Sequence, residues 1–153
     1  LSDFNGTHRR FEIKGFCNNI TIVDDYAHHP TEIRVTLEAA KKFNHNNIWC
    51  IFQPHTYSRT KLLLNEFANS FHNADKVIIS DIYAAREKDT GLIHSKDLTI
   101  EINKNKNNAI YIKEFEDIAK YVAEKAKPGD LIMTVGAGSI TDLGPMILEK
   151  LGS

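Results

Sequence analysis

Short, uninterrupted apolar runs constrain this chain most: Ile20 to Val23, Ile48 to Phe52, Lys76 to Ser80, Ala109 to Ile112 and Leu131 to Val135. Each is short for a helix and lacks the in-out alternation of a half-exposed strand, so each reads as a strand buried on both faces. Between them the period turns helical. Ile33, Leu37 and Ala40 recur across 30–43, and Leu63, Phe67 and Phe71 form one stripe across 58–71. Further helices are expected over 96–103, 114–126 and 139–151. Strand and helix in strict alternation form a parallel sheet covered on both sides. Ahead of them, 9–24 reads as a β-hairpin. Phe11, Ile13 and Gly15 alternate with Glu12 and Lys14, and Asn18-Asn19 supplies a turn that tolerates positive φ. The expectation is one α/β domain over 1–153, Rossmann-like and doubly wound, with a mostly parallel sheet and an antiparallel β-hairpin at one edge.

Charge narrows the partners. Lys plus Arg number 19 and Asp plus Glu 20, a near-balance that argues against a nucleic-acid binder run by bulk charge. Cys17 and Cys50 make no disulfide framework and read as reduced core thiols. No stretch approaches the ~20 apolar residues of a membrane span, and no signal-peptide pattern is present, so a cytoplasmic location is expected. The sequence starts at Leu1 without a Met. The expectation is one domain of a longer polypeptide.

In such sheets ligands sit beyond the carboxyl ends of the strands. That rule selects four polar segments, each following an apolar run: 24–32, 53–59, 81–87 and 136–141. The first packs Asp24, Asp25, Tyr26, His28 and His29 ahead of a helix, more polar groups than capping requires. The second brings His55, Tyr57 and Arg59 to a strand-to-helix switch. A cation in a first helical turn opposes the helix dipole, so Arg59 reads as a ligand for a carboxylate or phosphate. The third begins at Asp81, with Arg86 and Glu87 readable as a surface pair. The fourth, Gly136-Ala137-Gly138-Ser139, reads equally as an anion-facing loop or a tight strand-to-helix turn. No G-x-x-x-x-G-K-[ST] phosphate loop occurs anywhere in the chain. Arg9 and Arg10 open the hairpin, facing solvent or reaching a phosphate held by a neighbouring domain.

Taken in order, His8-Arg9-Arg10-Phe11-Glu12, Asp24-Asp25-Tyr26-Ala27-His28-His29-Pro30-Thr31-Glu32, Phe52-Gln53-Pro54-His55-Thr56-Tyr57-Ser58-Arg59-Thr60, Asp81-Ile82-Tyr83-Ala84-Ala85 and Gly136-Ala137-Gly138 resemble the C-terminal domain of the Mur ligases of peptidoglycan synthesis, the L-alanine-adding branch in particular. The resemblance covers essentially the whole chain. It implies the third domain of an ATP- and Mg²⁺-dependent ligase that joins L-alanine to UDP-N-acetylmuramate through an acyl phosphate. The UDP-binding and P-loop ATPase domains would lie outside this chain, which alone would be inactive and hold no metal. On this resemblance Tyr26, His28, His55 and Arg59 face L-alanine, Arg59 taking its carboxylate. Arg10 and Asp25 lie on the ATP-phosphate side, and His29, Tyr57 and Asp81 are subsidiary candidates. Thr56 stands where some of these ligases carry Arg, and Ser139 where the glycine loop often continues with Asp. Neither is given a charged role.

Two other readings use the same residues. One is a stand-alone α/β module that binds a nucleotide or anion. The other is a metal-dependent hydrolase built on His28, His29 and His55.

Overall fold

A computed structural model describes residues 10–153; Arg9 and the residues before it lie outside the described residues. The hairpin is present as β1 (Glu12–Cys17) and β2 (Ile20–Asp25), with Asn18 and Asn19 both at positive φ in the turn. There follow α1 (Pro30–Lys41), β3 (Ile48–Phe52), α2 (Tyr57–Leu62), α3 (Leu64–Ala68), β4 (Lys76–Ile79) and α4 (Ser95–Asn105). The chain continues through β5 (Ala109–Tyr111), α5 (Phe115–Lys125), β6 (Leu131–Val135), a 3₁₀ turn (Ser139–Asp142) and α6 (Leu143–Leu151).

The six strands pair in the order β1-β2-β6-β3-β4-β5, parallel throughout except for the β1–β2 edge pair. Alternate residues of β2, β3, β4 and β6 feed two cores. Val23, Cys50, Phe52, Ile79 and Met133 pack with α1, α3 and α4 on one face. Ile22, Trp49, Ile51 and Ile132 pack with α5 and α6 on the other. Burial pushes the Cys50 thiol well up, as befits an inert core residue. No helix among the described residues is long and apolar enough to cross a membrane.

Three local expectations are corrected. The stretch 58–71 is not one helix. Its backbone leaves the helical region at Leu63 (φ −109°), which lets Leu63 and Leu64 both rest on the core while Leu62 stays 79% exposed. The last helix opens as a 3₁₀ turn, because Pro145 has no N–H to return to Thr141 and its ring crowds that carbonyl. The simple alternation in β1 also fails. A register shift between Ile13 and Gly15 turns Ile13 outward, and Gly15 lies bare beneath Leu148 of α6, 3.0 Å from where a Cβ would be.

The connections after β6 and β3, adjacent strands, leave for opposite faces of the sheet. That is the switch point at which a crevice opens in this architecture.

Candidate functional site

Asp24 and Asp25 end β2, and a strand points successive side chains to opposite faces. Asp24 turns toward α6, accepting hydrogen bonds from Thr134 Oγ1 (2.8 Å) and Thr141 Oγ1 (3.2 Å). It leaves the rim cluster and ties β2 to the loop after β6. Asp25 faces the other way, and its two oxygens accept from Phe11 N–H and Ala27 N–H, both at 2.8 Å. Arg10 Nε lies 4.0 Å from Asp25 Oδ2, with the Arg10 side chain 42% exposed. Asp25 thus anchors the entry of the hairpin, and Arg10 remains at the surface beside it.

Beyond Asp25 the chain turns through Tyr26, His28 and His29 into α1. His29 is the N-cap: its Nδ1 accepts from Thr31 N–H (3.4 Å). The three-histidine metal reading fails here, since His29 is occupied with capping and no group of three metal-ligating side chains converges among the described residues. Glu32 closes the cap from the first helical turn, accepting from the backbone N–H groups of His28 (3.1 Å) and His29 (3.2 Å). Burial pushes Glu32 up, but those two N–H groups, the His28 ring and Arg10 outweigh it and hold the carboxyl below its ordinary value. The His28 ring meets Tyr26 edge-on at 5.1 Å.

The segment after β3 arrives from the neighbouring side. His55 pairs in parallel with Tyr83, continuing the sheet one step past β3 and β4, and Thr56 N–H donates to Tyr83 O (2.8 Å). Thr56 sits at φ 68°, a conformation costly for a β-branched residue. That turn lets Thr56 cap α2 through Arg59 N–H (3.3 Å) and brings Arg59 back over His55. Arg59 Nη1 then donates to His55 Nδ1 at 3.3 Å, and the His28 and His55 ring centroids are 6.0 Å apart. Burial first, then the Arg59 guanidinium and His28, push His55 down from its ordinary value, so its imidazole is neutral at pH 7. The structure therefore gathers Tyr26, His28, His55 and Arg59 into one mouth: an imidazole pair with a guanidinium behind it.

Asp81 borders a hollow with Gln53, Tyr83 and Ser139, and with Tyr57 it reaches a second one. The second, of about 380 Å³ between the ends of β4 and β5, is also lined by His94, Lys96, Tyr111 and Lys113. Tyr111 donates its hydroxyl to Asp81, and burial together with that bond pushes the phenol up.

Three groups that the sequence reading gave no role hold the mouth in shape. Gln53, 5% exposed, donates to Ser139 Oγ and accepts from Ile140 N–H (both 3.1 Å), locking the glycine loop. Neither that N–H nor that of Gly136, which donates to the Asp25 carbonyl (3.1 Å), is open to an anion. Glu87, read as half of a surface pair with Arg86, accepts instead from Tyr57 N–H (2.6 Å), Ser58 N–H (3.1 Å) and Ser58 Oγ, filling the start of α2. Tyr83 stacks on His55 at 5.5 Å. Gly138 is where these parts meet, since a Cβ there would lie 2.6 Å from the Tyr83 ring and 2.8 Å from Gln53 Oε1. Gly138→Ala should therefore lower stability by about 1–3 kcal/mol through overpacking, read as a drop of several degrees in thermal midpoint. An unchanged midpoint would show that the crevice is looser than these contacts require.

The comparisons fit this geometry. The family model described as "Mur ligase, glutamate ligase domain" matches residues 9–138. The chain is 57% identical over 150 residues to a UDP-N-acetylmuramate--L-alanine ligase of Caldanaerobacter subterraneus subsp. tengcongensis, covering 98% of this chain and 33% of that protein. A protein of the same name from Acetivibrio thermocellus is 56% identical over 149 residues, covering 97% and 32%. The crystal structure of a UDP-N-acetylmuramate-alanine ligase from Thermotoga maritima superposes with a TM-score of 0.77 at 29% identity, over 99% of this chain and 32% of that one. The chain spans about one third of the length of the curated relatives it matches. With the matched region running from the arginines before β1 to the glycine loop after β6, this chain belongs to the Mur ligase family.

Proposed function

We propose that this chain is the amino-acid-binding, lid-like C-terminal domain of a ligase that joins L-alanine to UDP-N-acetylmuramate in peptidoglycan synthesis. One observation carries the reading: an imidazole pair 6.0 Å apart backed by Arg59, at the carboxyl ends of parallel strands. Such a mouth offers a cation to a carboxylate and ring nitrogens to an amine, the two ends of an α-amino acid. The names of the relatives at 57% and 56% identity support L-alanine as that amino acid and UDP-N-acetylmuramate as its acceptor.

ATP and Mg²⁺ belong to the remaining domains of such a ligase, which would make an acyl phosphate for the amine to attack. The described residues do not suit either group by themselves. The chain has no phosphate loop, and both Asp25 oxygens already accept backbone hydrogen bonds. Arg10 is the group placed to meet a phosphate as the domains close. In this reading the chain contributes positioning and fixed charge: Arg59 takes the carboxylate, the imidazoles direct the amine, and closure excludes water. The domain alone would hydrolyse no ATP.

A chimera tests this. The corresponding third of the Caldanaerobacter ligase is replaced by this chain, and phosphate release is followed with and without L-alanine. Release that depends on both L-alanine and UDP-N-acetylmuramate is expected. A folded chimera that binds ATP and ignores L-alanine would refute the reading.

A further inference from the structure

We infer that Glu32 is a positioning residue that, together with the Tyr26 carbonyl, holds the proton of the neutral His28 ring on Nδ1, the tautomer opposite to that of His55, so that the mouth presents one ring acceptor and one ring donor and takes an α-amino acid in a single orientation. The inference rests on the amino-acid site proposed above and adds its polarity.

The partners of the rings decide the tautomers. His28 Nδ1 lies 3.1 Å from the carbonyl of Tyr26 and 3.5 Å from Glu32 Oε1. A carbonyl and a carboxylate only accept, so this nitrogen carries the proton. In the neutral ring the lone pair is then on Nε2. His55 has the reverse arrangement. Its Nδ1 faces Arg59 Nη1 at 3.3 Å, and a guanidinium only donates, so the proton is on Nε2. No hydrogen bond from another described residue engages either Nε2. His29 and His94 resemble His55, their Nδ1 atoms accepting from Thr31 N–H and Lys96 N–H. His28 is thus the exception among the described rings with an assigned Nδ1 partner.

The Tyr26 carbonyl is the nearer acceptor, and Glu32 reinforces the exception it sets. One oxygen, Oε1, accepts from the backbone N–H groups of His28 and His29, which fixes the carboxylate against the turn and keeps its charge beside His28 Nδ1. His28 precedes the N-cap, and the capping box formed by His29 and Glu32 holds the spacing. An amino acid laid across the edges of the two rings would meet a lone pair at His28 Nε2, suited to an amine N–H, and a donor at His55 Nε2 beside the Arg59 cation, suited to a carboxylate. Turned end for end, the ammonium would meet a donor and a guanidinium, and the carboxylate would meet a lone pair.

Nitrogen-detected NMR of the ¹⁵N-labelled chain reads this directly. The expected result is Nδ1–H at His28 and Nε2–H at His55, each favoured at least about tenfold. The same tautomer on both rings, or an even mixture at His28, overturns the inference. Glu32→Ala should erode the His28 preference several-fold. In a complete ligase carrying this domain it should raise KM for L-alanine about tenfold with kcat and the KM for ATP little changed. Glu32→Gln, which keeps an acceptor oxygen, should restore most of both. An unaltered His28 tautomer in Glu32→Ala counts against the inference; should that variant not fold, the parent spectrum decides. Arg59→Ala separates the two levels. If it leaves the L-alanine requirement unchanged, the site itself is misread. If it raises that requirement while His28 proves to be Nε2–H, only the role of Glu32 falls.

Discussion

Arg59→Ala in a complete ligase carrying this domain is expected to raise KM for L-alanine about a hundredfold and leave KM for ATP within about twofold. The guanidinium is half-buried, and its one hydrogen-bond partner among the described residues is the neutral His55 ring. No carboxylate among the described residues pairs with it, so its charge is left to offer. A hydrogen bond to a charged group contributes roughly 1.5–3 kcal/mol, and about 2.8 kcal/mol corresponds to two decades of affinity. Arg59→Lys should recover only a part, because an ammonium cannot repeat a two-pronged contact and would not reach His55 Nδ1 with the same fixed geometry. Steady-state kinetics with L-alanine and ATP varied separately makes the measurement. A KM for L-alanine that stays within about twofold of the parent would remove Arg59 from the site.

The largest effect on stability is expected at the other end of the sheet. Asp130 is 2% exposed, and its carboxylate accepts from Asn47 N–H (3.1 Å), Trp49 Nε1–H (3.1 Å) and Lys127 N–H (2.9 Å). It joins the starts of β3 and β6 and satisfies the one indole of the chain, itself 1% exposed. Asp130→Ala leaves three donors on two segments without an acceptor, each costing about 1–3 kcal/mol, less what entering water recovers. A loss of about 4 kcal/mol is expected, a large part of the roughly 5–15 kcal/mol by which a domain of this kind is stable. Asp130→Asn keeps the shape and one oxygen but turns an amide toward N–H donors, so it should lose about half as much. Urea unfolding followed by Trp49 fluorescence should show the alanine variant's midpoint lowered by about 2 M, for a slope near 2 kcal/mol/M. An unmoved midpoint would mean that these bonds contribute nothing net.

What the sequence made legible was governed by short-range pattern. The runs at 48–52 and 131–135 are β3 and β6 to the residue, because a strand buried on both faces has no other composition available. The hairpin turn at Asn18-Asn19 followed from the residues' tolerance of positive φ. The strand-end rule was enough to bring His28, His55 and Arg59 together. Pattern failed where a distant neighbour decided. Nothing in β1 foretells that Leu148 lies on Gly15. Nothing near Asp130 signals its indole partner, which is 81 positions away. Gln53 and Glu87 act across 86 and 29 positions. Tyr57 and Asp81 were grouped with the mouth by their place on the rim; both also line the β4–β5 hollow, which the 81–94 connection closes with Asp89, Ile93 and His94. Glu32 was within reach: an acidic residue three positions after the N-cap is the capping-box spacing, which turns its carboxylate back toward the residues before the helix.

The way α2 begins bears on how this mouth could change over evolution. Glu87 and Thr56 between them engage the amide hydrogens of Tyr57, Ser58, Arg59 and Thr60. The helix thus has no idle main-chain donor with which to greet a visiting anion. A lineage that lost the guanidinium would find no backbone substitute nearby and would have to recruit a fresh cation from another loop.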